Sequence, residues 1–166
     1  MEEKEATNEK NLSDLHEFLA KKEENKAREE KPKALSTEEI GKFYQEIVIP
    51  AFKTLKQELT KFNFEAIDYY QHTVKSYFKV SETLSQFFFK IEISNTQRTV
   101  HFYEVIRYRT EKRGKLTEIP NAESKNISFN EIKTITQETI ISVFTQWFMA
   151  KDEKIEKYIN YLEHKT

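Results

Sequence analysis

The side chains able to do chemistry are few and widely spaced. Histidines stand at His16, His72, His101 and His164, and no two share the three- or four-residue spacing that presents a pair from one helix face to a metal. Only His72 and His101 fall where a common sheet can hold both, with Asp68, Glu92 and Glu104 as nearby carboxylates. The chain has no cysteine, which removes thiolate metal sites, disulfides and a cysteine nucleophile. Its two glycines, Gly41 and Gly114, cannot build a phosphate-binding loop or a dinucleotide fingerprint. No cofactor and no metal is therefore expected, and no catalytic set beyond a carboxylate centred on Glu104 with His101 or His72. Alternation along residues 99–110 puts Glu104 beside Val100, Phe102, Ile106 and Tyr108. If that face is the core, the carboxylate needs a partner or a raised pKa.

A second chemistry lies in residues 96–115, where Arg98, Arg107, Arg109, Lys112, Arg113 and Lys115 meet only Glu104 and Glu111. The alternate face of the same stretch reads His101, Tyr103, Val105, Arg107 and Arg109, and Phe88 and Lys90 of the preceding run can neighbour it. Cations interleaved with aromatic rings on a sheet suit single-stranded nucleic acid, through phosphate pairing and base stacking. The residues assigned to that reading are Phe88, Tyr103, Arg107, Arg109 and Arg113. The same pattern also suits a charged edge strand, or a face covered by a C-terminal helix.

These residues need elements to position them. Ser36 and Glu39 form a capping box opening a helix, and Ile40, Phe43, Tyr44, Ile47, Val48, Phe52, Leu55, Leu59 and Phe62 follow at three- and four-residue steps. Pro50 interrupts this run and predicts a kink rather than a break, because the apolar stripe keeps its phase across it. From Phe64 onward the period changes to two. Strands are expected at Phe64–Gln71, Thr73–Val80, Leu84–Ser94 and Thr99–Thr110, with a short fifth at Leu116–Ile119. Short connections make this an antiparallel meander. Residues 121–128 read as a polar loop, and Ser128 with Glu131 as the cap of a short helical turn. A helix follows from Thr136 with Ile140, Val143, Phe144, Trp147 and Phe148 inward, and Asp152 caps a last one.

The chain divides near Pro32. Residues 1–33 hold ten acids and eight bases with eight apolar residues, too few to form a core, whereas the remainder has the charge content of an ordinary domain. The expected organisation is a charged helical or disordered tail over residues 1–33 and one domain over residues 34–166. That domain is α+β: a long kinked N-terminal helix, an antiparallel meander of four to five strands, and two C-terminal helices. Within the tail, Leu12, Leu15, Phe18 and Leu19 share one helix face, the pattern of a short segment that docks on a partner protein.

Net charge is −1, so no global electrostatic case exists for nucleic acid or a membrane surface. No apolar run approaches the ~20 residues that span a bilayer, and the N-terminus lacks a hydrophobic stretch after a basic start. A cytoplasmic location without membrane contact is expected. The leading expectation is a non-enzymatic intracellular adaptor that binds another protein through Leu12, Leu15, Phe18 and Leu19. Self-association into a homodimer is a variant of it. Single-stranded nucleic-acid binding ranks second, and an enzyme centred on Glu104 and His101 third.

Overall fold

The computed structural model describes residues 2–28, 32–72 and 74–165. The chain divides into two compact units, Met1–Pro32 and Lys33–Thr166. In the first, helix α1 spans Glu2–Arg28. Residues 1 and 29–31 of the tail expected to be helical or disordered, Thr73 of the expected second strand, and Thr166 lie outside the described residues.

The second unit opens as its cap predicts. Ser36 Oγ accepts from the Glu39 amide at 3.1 Å while the Glu39 carboxylate accepts from the Ser36 amide at 3.3 Å. Helix α2 (Thr37–Phe43) runs through a π-helical turn, Tyr44–Val48, into α3 (Ile49–Lys61). The Ile49 amide donates to the Tyr44 carbonyl, five residues back. Pro50 has no N–H to donate, so the Glu46 carbonyl is left without its helical donor. The extra residue of the π-turn absorbs the proline ring, and Gln137 Nε2 supplies the missing hydrogen bond to the Glu46 carbonyl at 2.9 Å. The apolar stripe therefore stays in phase, with Tyr44, Val48, Ala51, Phe52 and Leu55 all buried. Asn63, at φ 63°, ends the helix in the left-handed region that asparagine tolerates.

Four strands then form an antiparallel meander: β1 (Glu65–Gln71), β2 (Lys75–Ser81), β3 (Ser85–Ser94) and β4 (Thr99–Tyr108). Two short strands complete the sheet on the far side of β4. β5 (Thr117–Glu118) pairs with its end and β6 (Ser124–Ser128) with its start. The polar loop expected at residues 121–128 is thus largely a strand. Its sequence, Ser-Lys-Asn-Ile-Ser, buries only Ile127, so backbone pairing to β4 rather than a side-chain pattern makes it extended.

A 3₁₀ turn (Phe129–Thr134) follows, with Ser128 Oγ accepting from the Asn130 amide. Thr136 then caps α4, a single helix over Gln137–His164. The two C-terminal helices expected on either side of Asp152 are one. Asp152 does not cap: its carboxylate accepts from Lys151 Nζ at 2.8 Å on a helix that continues past it. Among the described residues no helix is long and apolar enough to cross a membrane.

Helices α2, α3 and α4 pack on one face of the sheet. Alternate residues of each strand point into that layer, among them Phe78 and Val80, Phe87, Phe89 and Ile91, and Val100, Phe102 and Ile106. Phe144 of α4 lies at its centre, with ring centroids 5.3 Å from Phe78, 5.6 Å from Phe87 and 6.1 Å from Phe89. Trp147 packs on Phe89 at 5.6 Å but is only half-buried.

Phe144→Ala should cost about 3–5 kcal/mol in a denaturant titration, and Trp147→Ala clearly less, because deletion leaves a cavity only where the side chain is enclosed. Equal losses would contradict this packing. High pH gives a second check. Tyr44 is 1% exposed, and burial pushes its hydroxyl up to about 12 from 10.0, outweighing the opposing Ser76 hydrogen bond. A folded pKa above the unfolded one means stability is complete below pH 10 and falls as pH rises toward 12, by about 2–3 kcal/mol from this group. Denaturation midpoints of Tyr44→Phe should fall less steeply over that interval than those of the parent chain.

Candidate functional site

The face of the sheet opposite the helices is a grid whose rows follow from strand register. One row runs Tyr69, Tyr77, Lys90, Tyr103, Ser124 across five strands. The next runs Ile67, Lys79, Phe88, Val105, and a third runs Gln71, Lys75, Glu92, His101, Asn126. Among the described elements of residues 33–166, no helix covers this face. Tyr69 and Tyr77 stack at 5.1 Å, and His101 and Tyr103 at 4.8 Å.

Phe88 sits at the middle of the grid, 8% exposed although no helix lies over it. Its ring is enclosed by cations: Lys79 Nζ at 5.4 Å, Lys90 Nζ at 5.5 Å and Arg107 Cζ at 5.1 Å from the centroid. Such contacts hold long side chains flat over an aromatic ring and shield it from water. Acids balance much of the charge. Glu118 pairs with Arg107 Nε at 3.5 Å, and Glu92 accepts from the Tyr103 hydroxyl at 2.7 Å. Partial burial and the Glu92 carboxylate beside it raise the Tyr103 pKa above its ordinary value.

The structure therefore brings together Phe88, Tyr103 and Arg107 from the sequence-based set with Lys90, their expected neighbour, and adds Lys79. It places Arg109 and Arg113 elsewhere. β4 ends at Tyr108, and Arg109 turns to donate from Nε to the Thr83 carbonyl at 2.9 Å. Arg109 and Arg113 line a cleft at the end of the sheet with Phe62, Leu84, Glu82 and Asp152.

The three side chains of the enzyme reading do not converge. His101 is on the open face and His72 in the β1–β2 turn at φ 51°, whereas Glu104 points into the core at 1% exposure. Glu104 Oε1 accepts from Lys154 Nζ at 2.6 Å and from the Glu123 amide at 2.9 Å, and Glu123 Oε1 lies 3.6 Å from the same ammonium. Its Oε2 is buried with no hydrogen-bond partner among the described residues. One turn earlier on α4, Lys151 is 2% exposed, 2.5 Å from Glu82 Oε2 and 4.7 Å from the Phe148 ring centroid. Lys151 and Lys154 were legible as a signal. They continue the inward spacing of Trp147 and Phe148 toward Ile155 and Tyr158, where a core-facing Glu104 demanded a cation. Among the described residues, no three His, Asp or Glu side chains gather as a metal site.

In the first unit, α1 presents Leu12, Leu15, Phe18 and Leu19 at 56, 48, 61 and 47% exposure. Lys22 continues the same face a turn later, while Glu17 and Lys21 pair at 3.8 Å on the opposite one. No family model matches the chain, no curated protein matches it, and no solved structure matches its fold.

Removing Lys154 leaves a buried carboxylate with one amide donor. Lys154→Met should destabilise by about 3 kcal/mol, the low end for breaking a buried pair, because the lysine is partly solvated. Adding Glu104→Gln should restore most of that loss. Strictly additive losses in a double-mutant cycle by urea denaturation would show that the two groups are not coupled.

Proposed function

We propose that this chain is a non-enzymatic adaptor that binds another protein through the apolar face of α1. The observation that carries this reading is the exposure of Leu12, Leu15, Phe18 and Leu19, four large apolar side chains on one helix face. A solvated helix gains nothing from such a stripe, since its charged residues already favour water and its intrinsic stability is marginal. Covering the stripe in a hydrophobic groove does stabilise it, and the spacing is that of helix-in-groove recognition. Lys22, on the same face, favours a groove with an acidic wall at the end that receives the helix C-terminus.

A second reading places single-stranded nucleic acid on the open sheet face. It is supported by the stacked Tyr69–Tyr77 and His101–Tyr103 pairs beside Lys79, Lys90 and Arg107. It ranks second for two reasons: Glu92 and Glu118 offset that charge, and the Phe88 ring is already occupied by cations.

The parent chain and its Leu15→Lys/Phe18→Lys variant should have the same thermal melt above room temperature, because the altered residues are exposed. Affinity capture should return a partner with the parent chain and lose it with the variant. Retention of the same partner by both would overturn the α1 reading. Anisotropy of labelled single-stranded RNA and DNA separates the second reading. Saturable binding that weakens by roughly one power of salt per phosphate contacted, and is lost in Lys90→Ala/Arg107→Ala, would put nucleic acid first.

A further inference from the structure

The sheet has two open edges of unlike character. On one side lie β5 and β6, two and five residues long, with Ser124, Lys125 and Asn126 exposed. A short, polar, lysine-bearing edge is a poor template for another strand. On the other side β1 is seven residues long and, among the described elements, pairs with β2 alone. It contains no lysine and no proline, and it exposes Ile67 at 44% and Tyr69 at 48%. Half of its backbone N–H and C=O groups point away from β2, as in any edge strand.

We propose that β1 is a homodimer edge: two copies of this chain join antiparallel, β1 to β1, about a two-fold axis at Tyr69. Parity restricts the register, because both core-facing layers stay on one side only if residues of like face are opposite. Centring the axis on Asp68 satisfies parity but sets two carboxylates directly against each other, which is unfavourable. Centring it on Tyr69 instead sets Tyr69 against Tyr69, Ile67 against Gln71, and Asp68 against Tyr70.

Two of those pairings are complementary. The tyrosine pair extends the row in which Tyr69 already stacks on Tyr77, giving a continuous aromatic ladder across the axis. On the core side the pairing repeats chemistry present within one chain, where the Tyr70 hydroxyl donates to Asp68 Oδ2 at 2.9 Å. β1 carries two charges, Glu65 at its first residue and Asp68; only Asp68 falls among the residues 67–71 that pair, and Lys56 Nζ offsets it at 3.5 Å. Across residues 67–71 a second copy thus meets no charge that lacks its own partner, which makes it the occupant. The pairing is isologous and closes at two subunits, because each copy uses its single long edge.

A β1–β1 dimer needs no residue of α1, and sedimentation velocity and crosslinking of the whole chain test it. The chain has no cysteine, so a single introduced thiol reports on one contact. The parent should sediment as a dimer at tens of micromolar. Tyr69→Lys should raise the dissociation constant at least tenfold with an unchanged circular dichroism spectrum. Under mild oxidation Tyr69→Cys should form a disulfide-linked dimer, since directly opposite Cβ atoms lie within about 5 Å. Ile67→Cys should not, because its copies sit roughly 13 Å apart along the paired strands. A monomeric parent, or preferential crosslinking at residue 67, would overturn the proposal. So would a dimer that Leu15→Lys/Phe18→Lys abolishes and Tyr69→Lys leaves intact.

Discussion

One carboxylate organises the domain. Glu104 lies in the middle of β4 on the face that carries Val100, Phe102 and Ile106, where an ionised group survives only with a cation and donors brought to it. Lys154 and the Glu123 amide meet that demand. In doing so they fix how α4 crosses the sheet and where the chain leading into β6 must run. The pair adds little net stability over an apolar replacement, but it makes misplacement of α4 costly, because any other position leaves the acid unpaired.

The same helix is tied at two further points. Gln137 at its start takes the carbonyl that Pro50 releases in the first helical layer. Lys151 in its middle reaches Glu82 in the β2–β3 connection. Between these polar ties, Ile140, Val143 and Phe144 fill the aromatic layer. Position is thus set by directional contacts and cohesion by apolar burial. The π-turn belongs to this arrangement: without its extra residue, the stripe from Ile40 to Leu55 would lose phase at the proline.

The two faces of the sheet solve the same problem differently. The inner face buries its phenylalanines under helices. The outer face shields Phe88 with the stems of Lys79, Lys90 and Arg107, leaving a surface that is aromatic beneath and cationic above. Such a surface keeps water off the sheet without a further layer. It also shows why an aromatic-cationic pattern on a strand is ambiguous for function: the cations can serve the protein's own rings before any ligand's phosphates.

Much of the architecture was legible in local pattern. The capping box at Ser36, the switch from a period of three to four residues to a period of two near Phe64, and the alternation through β3 and β4 each depend on neighbours within a few residues. Inward-facing Glu104 and outward-facing Phe88, Tyr103 and Arg107 follow from that alternation. What needed the tertiary structure was everything set by partners distant in sequence. β6 has no apolar alternation and is a strand only because β4 offers it a ladder. Asp152 has the character of a cap, yet Lys151 and Lys154 carry α4 through because Glu82 and Glu104 await them. Arg109 shares the parity of Arg107 but leaves the face because β4 ends one residue before it. Local pattern set period, face and the cap at Ser36, which depend on residues close in the chain. Only the folded chain decided pairing, helix continuity and the destination of each charge, because these depend on groups brought together from separate elements, up to 91 residues apart.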